Sequence, residues 1–151
     1  MPQSLSKVYL HIVFSTKHRH PFLANPEFRA EMHRYLGGTC NAIGSRVIAA
    51  GGISDHVHIL CLLSRKQSIA DMVMALKGQS SRWAKQSRPA LRRFRWQRGY
   101  GVFSVSESAV EVVRAYVNNQ EVHHRKKSFK EEYLRLLEEH NITYEESYLW
   151  D

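Results

Sequence analysis

In a chain of 151 residues, two short clusters carry residues that could do chemistry together. His56 and His58 flank Val57 in the run from His56 to Leu63 (HVHILCLL), whose apolar, β-branched composition is that of a strand. Residues two apart on a strand project from one face, so the two imidazoles stand side by side while Val57 points into the core. Such a pair can chelate one divalent cation. It is also the pattern of two surface histidines alternating with core residues. The neighbouring sequence removes several rival His-x-His chemistries. A histidine-triad nucleotide hydrolase would carry a further alternating histidine where Leu60 stands. A two-histidine phosphoesterase needs a second His-x-Ser/Thr, a cupin needs a Glu and another His in an all-β chain, and a zinc deaminase needs Pro-Cys-x-x-Cys; none occurs. Phosphodiester cleavage with a nucleophile elsewhere in the chain remains.

The second cluster offers that nucleophile. Tyr116 and Gln120 are four residues apart in a helix-like stretch and so share a face. A Gln carbonyl oxygen is a neutral ligand suited to Mg²⁺, with Mn²⁺ able to substitute, beside two histidines. A phenolic oxygen can attack a phosphate in line once a metal draws charge from it. The same spacing fits Tyr116 as a core aromatic in the stripe Val110, Val113 and Val117, and periodicity alone leaves both readings open. His123 and His124 diverge by about 100° on a helix, so the two do not readily chelate one ion. His123, seven residues from Tyr116, could help to position or protonate it. His11, His18, His20 and His33 show no comparable pattern and read as surface or satisfied residues.

The charge points to a polyanionic partner. The net charge is +8. Residues 1–106 hold 16 Lys/Arg against 4 Asp/Glu, whereas residues 107–151 hold 6 against 10. Seven basic residues and no acid lie between Arg82 and Arg98, with Trp83, Phe94 and Trp96 interleaved. Cations that neutralise phosphates beside rings that stack on bases make a single-strand binding surface; otherwise these are a solvated basic loop and core aromatics. Arg82, Lys85, Arg88, Arg92, Arg93 and Arg95 are the expected DNA contacts, with Lys17 and Arg19 at the first turn. The two cysteines, Cys40 and Cys61, form no CxxC and read as reduced core thiols of a cytoplasmic protein. No run of about 18 apolar residues or signal-peptide pattern is present.

The elements that must position these residues are readable in outline. Lys7 to Thr16 is a strand, and Asn25 caps a helix that has Pro26 at its first position and runs to about Ile43. Arg46 to Ala50 is a strand interrupted by Gly51-Gly52, and the His56 strand follows. Ser68 opens a helix to about Gln86 with apolar Ile69, Met72, Val73 and Leu76 at helical spacing. Arg95 to Val105 looks extended, with a bend near Gly99 to Gly101. Ser106 begins a third helix, and a fourth covers about Ser128 to His140. The order β-α-β-β-α-β-α-α predicts one α+β domain over residues 1–151: a ferredoxin-like, RRM-like antiparallel sheet with helices packed on one face.

Asp55 to Leu60 (DHVHIL), Trp96 to Ser106 (WQRGYGVFSVS) and Tyr116 to His124 (YVNNQEVHH) together resemble the bacterial insertion-sequence transposases of the HUH, single-tyrosine class, over nearly the whole chain. The resemblance implies that His56, His58 and Gln120 hold the metal and that Tyr116 is the nucleophile. It implies a homodimer that binds imperfect hairpins in single-stranded DNA, with each site pairing the histidines of one subunit with the tyrosine helix of the other. Cleavage would leave a 5′-phosphotyrosine and a free 3′-hydroxyl, whose later attack rejoins strands without ATP. A domesticated relative that processes chromosomal palindromic repeats would use the same residues. A replication initiator usually carries Lys where Gln120 stands. A non-catalytic nucleic-acid-binding module would need the basic stretch but not the four site residues.

Overall fold

The computed structural model describes residues 2–151. Strand β1 (Tyr9–Ser15) is buried along its whole length, and helix α1 (Pro26–Ala42) follows it. Asn25 caps α1 by accepting from the Phe28 N–H, with Pro26 at the first turn, where a missing N–H costs nothing. Strands β2 (Arg46–Gly52) and β3 (His56–Leu62) make a hairpin. Helix α2 (Ile69–Ser87) is capped by Ser68, and β4 (Gly101–Val105) completes a sheet ordered β2-β3-β1-β4. Every pairing is antiparallel, which is the ferredoxin-like arrangement expected from the element order.

Alternation along the two central strands sorts their residues by face. Leu10, Ile12 and Phe14 of β1, with Val57, Ile59 and Cys61 of β3, form the main core with α1 and α2. Burying each such side chain stabilises the fold by about 1.5–3 kcal/mol relative to exposure. The opposite face carries His11, Val13, His56, His58 and Leu60. It is not left to water: α3 (Val110–Asn118), α4 (Gln120–His123) and α5 (Phe129–Glu139) fold across it.

Several local readings change. Gly51 and Gly52 lie inside β2 rather than interrupting it. A Cβ at Gly51 would stand 2.1 Å from the Val117 carbonyl oxygen, so glycine is there to let α3 lie on the strand. The third helix begins with a 3-10 turn at Glu107–Ala109 and breaks at Asn119, which separates α3 from α4. The extended stretch before β4 pairs only through Trp96, by a bridge to Thr16. Phe94 and Trp96, expected as stacking platforms, are core residues, and the Trp96 indole N–H donates to Ser80 Oγ. Trp83 stacks between Phe28 and Tyr35 against α1.

Residues 144–151 pack back onto α5. The Trp150 ring meets Phe129 and Tyr133, and Arg19 lies over it. Gln97 Nε2 donates to the Leu149 carbonyl and the Gly99 N–H donates to that of Asp151. These contacts tie α5 to the segment that precedes β4. No helix among the described residues is long and apolar enough to cross a membrane.

Candidate active site

His56 and His58 open β3 and are fully buried, because α4 and α5 cover the face onto which their alternation places them. Each is held from behind. Asp55 Oδ1 lies 2.8 Å from His56 Nδ1, and a carboxylate only accepts, so Nδ1 carries the proton. The buried His11, expected to be a surface or satisfied residue, places Nε2 2.8 Å from His58 Nδ1 and stacks on that ring. Val13 pairs with His58 across the ladder, so His11 is the diagonal neighbour on the same face. Phe129 stacks on His56 with ring centroids 4.0 Å apart.

The front of both rings meets a residue that no sequence motif singles out. Glu132 of α5 is buried, and its Oε1 lies 2.8 Å from His58 Nε2 and 3.5 Å from His56 Nε2. The same oxygen is 3.3 Å from His124 Nε2, while His124 Nδ1–H donates to the Lys127 carbonyl. Glu132 Oε2 accepts from the Tyr116 hydroxyl. One carboxylate thus joins the histidine pair to the tyrosine. Gln120 Oε1 lies 3.1 Å from His56 Nε2 and 3.0 Å from His124 Nε2, so it too points into the cluster. Its Nε2 donates to the Tyr116 carbonyl across the break at Asn119, which keeps the two residues together although they belong to different helices.

His123 and His124 part company as helical geometry requires. Donor atoms of His56, His58, His124 and Glu132 lie within 4.8 Å of one another, whereas His123 is outside that set. The His123 ring packs on the edge of Tyr116 at 5.1 Å, with its Nε2 3.2 Å from the other Glu132 oxygen, Oε2.

Electrostatics follow from burial and these contacts. Burial works against a charge on His56, but hydrogen bonds to Asp55 and Glu132 outweigh it and raise its pKa. Burial lowers His58 to about 4 and His11 to about 3, which keeps both neutral. Burial alone would raise Glu132, yet hydrogen bonds from His124, His56 and His58 hold it well below the usual carboxylate range. Burial, then the neighbouring Glu132 charge, raises the Tyr116 phenol. At rest the tyrosine is protonated and docked.

The donor set fits a divalent cation. Bonds of about 2.0–2.2 Å place neighbouring donors about 3.0–3.5 Å apart, and the contacts to Glu132 Oε1 span 2.8–3.5 Å.

The expected DNA contacts divide. Lys17, Arg92, Arg93 and Arg95 surround one cavity of about 780 Å³ with His18, His20 and Phe22. It adjoins the end of β1, where Ser15 pairs with His56. Arg19 lies over the Trp150 ring, and Arg88 lies over Phe28 with its guanidinium 3.6 Å from Glu31, so neither lines that cavity. Arg82 and Lys85 lie on α2, apart from that cavity.

Residues 4–120 match the family described as transposase IS200 like. The chain is 30% identical over 115 residues to the ISDra2 transposase TnpA of Deinococcus radiodurans, covering 73% of this chain and 81% of that one. It is 29% identical over 119 residues to the transposase for insertion sequence element IS200 of Salmonella typhimurium, covering 73% and 74%. A crystal structure from Deinococcus radiodurans R1, described as a transposase, superposes with a TM-score of 0.62 at 27% identity, covering 80% of this chain and 95% of that one. The fold is also that of a REP-associated tyrosine transposase bound to a REP hairpin, with a TM-score of 0.59 at 12% identity over 82% and 73% of the two chains.

Proposed function

The chain belongs to the IS200-like transposases, the HUH single-tyrosine enzymes that act on single-stranded DNA, and from that premise we propose that Tyr116 cuts a strand at a hairpin-bearing element end and keeps it as a 5′-phosphotyrosine. The observation that carries this reading is the meeting of the Tyr116 hydroxyl and both histidines on Glu132, within one chain. In the reaction the Tyr116 oxygen bonds to phosphorus and the bond to the 3′-oxygen breaks; the proton that Tyr116 gives up through its hydrogen bond to Glu132 balances the one the leaving 3′-hydroxyl takes up. A free 3′-hydroxyl later reverses the step on another strand.

His56 and His58 would hold the cation, with Glu132, His124 and Gln120 supplying further donors. A divalent ion held by these residues would withdraw charge from the scissile phosphate and so lower the barrier to attack. The residues of the chain do the positioning. Asp55 and His11 fix the two imidazoles, and Glu132 holds the tyrosine oxygen beside them. Mg²⁺ suits the oxygen donors; the three imidazoles favour Mn²⁺ as the more tightly bound ion in vitro. Residues 1–151 act as a single domain in this reading. Lys17, Arg92, Arg93 and Arg95 contact the backbone of a DNA hairpin at their shared cavity, with Arg19, Arg82, Lys85 and Arg88 as outer contacts.

Docking of Tyr116 on its own chain's histidines, with Val117 pressed on Gly51, supports an active site assembled within one subunit. A homodimer that shares its sites is the second reading, and the backbone break at Asn119 is the hinge such an exchange would use.

The test is incubation of the protein with single-stranded oligonucleotides carrying the hairpins that flank its own gene, with Mg²⁺, Mn²⁺ or chelator. A covalent adduct that survives denaturation and needs the metal is expected. Metal-independent DNA binding with no adduct would leave only a binding module.

A further inference from the structure

A second concavity, more apolar in its lining, lies away from the basic surface. It is a cavity of about 530 Å³ between β4, α3 and α5, and Tyr116 and Glu132 form part of its wall. That volume lies within the range of small-molecule pockets. Phe103 lines it from the sheet, with the His140 ring 4.6 Å away and tilted by 35°. Val112, 72% exposed, and Leu136 face it from the two helices. Lys127 and Arg135 supply positive charge, and Arg135 is tied to Glu139 at 2.8 Å. Planar, apolar walls with cations beside them are the chemistry that receives a nucleobase and its phosphates.

Its place beside the nucleophile says which base. Attack by Tyr116 breaks the bond from phosphorus to the upstream 3′-oxygen, so the upstream strand is free to leave. The downstream nucleotide stays bonded to the tyrosine through its 5′-phosphate. Its base is therefore held within one nucleotide's reach of the Tyr116 oxygen throughout the covalent stage. We infer that this cavity is a base-binding subsite of single-stranded DNA, which takes the nucleobase immediately 3′ of the scissile phosphate. The inference rests on the tyrosine-nuclease reading above. Stacking there would both align the phosphate for attack and hold the cut end until strand transfer.

Single-turnover adduct formation is measured on the flanking-hairpin oligonucleotide and on two relatives. One has an abasic site immediately 3′ of the cleavage point; the other has its abasic site three nucleotides further on. The wild-type protein is expected to lose at least about fivefold in rate on the first and little on the second, since one base stack is worth about 1–3 kcal/mol. Val112→Trp, a change at an exposed helical position, narrows the cavity. It is expected to slow reaction of the intact oligonucleotide but to add no further loss on the first abasic one. Equal rates on both abasic oligonucleotides, or full additivity of Val112→Trp with the adjacent abasic site, would overturn the subsite while leaving the nuclease intact. No adduct with any oligonucleotide would overturn the nuclease reading and the subsite with it. Because the abasic comparison uses wild-type protein, it stands even if Val112→Trp folds poorly.

Discussion

Asp55→Ala tests whether the metal is held by histidines that are oriented from behind. The carboxylate oxygen lies 2.8 Å from His56 Nδ1, and it fixes that proton on the nitrogen facing away from the cluster. His56 is fully buried, while the Asp55 side chain is 21% exposed. Truncation therefore leaves a buried N–H with only partial access to water, which costs stability about 1–3 kcal/mol, toward the lower end. The larger effect falls on the metal. Loss of the partner behind a ligating imidazole weakens affinity about 10–100-fold, or about 1.4–2.7 kcal/mol. Calorimetric titration with Mn²⁺ reads this directly for wild type, Asp55→Ala and Asp55→Asn. The Asn variant keeps an oxygen that can accept from Nδ1–H, so it should recover part of the loss. If Asp55→Ala binds Mn²⁺ within about twofold of wild type while His56→Ala does not bind, the orienting role is wrong. If His56→Ala also binds unchanged, the cation is elsewhere.

Three further outcomes concern the packing of α3, the basic cavity and the assembly of the site. Gly51→Ala puts a Cβ 2.1 Å from the Val117 carbonyl oxygen, so it should destabilise the fold by about 1–3 kcal/mol and loosen α3; a thermal melt no lower than wild type would show that α3 does not rest on β2. Arg92→Ala with Arg93→Ala should weaken single-strand binding and flatten the dependence of log affinity on log salt by roughly 0.7 for each phosphate no longer neutralised; an unchanged salt slope would place the backbone-binding residues away from that cavity. Mixing His56→Ala with Tyr116→Phe should give no adduct when each site is built within one chain, and recovered cleavage in verified heterodimers would show that sites are shared.

Much of this architecture was legible because local chemistry and tertiary packing agree. Asn25-Pro26 and Ser68 mark the starts of α1 and α2, and both side chains make the capping bonds their types predict. The spacing of His56 and His58 puts them on one face without reference to any partner. The remainder of the site came from distant chain. Glu132 lies 74 residues from His58 and carries no motif. Its signal was its register: Phe129, Tyr133, Leu136 and Leu137 make the inward stripe of α5, and Glu132 falls among them. A carboxylate on an apolar stripe is expensive to bury unless something pairs it, and three imidazoles do. His11 was hidden for a related reason. A lone histidine on a strand becomes informative only once the register of β1 against β3 places it diagonal to His58. The basic run misled in part because charge marks a surface but does not say which of its aromatics face outward; Phe94 and Trp96 turn inward.

Tyr116 as the nucleophile is tested most directly by mapping the attachment point of the DNA. The denatured adduct is digested with protease and nuclease, and the nucleotide-bearing peptide is sequenced by mass spectrometry. A 5′-linked phosphotyrosine at Tyr116, absent from Tyr116→Phe protein that still binds the hairpin, is the expected result. Attachment at another residue, or an undiminished adduct from Tyr116→Phe, would contradict it.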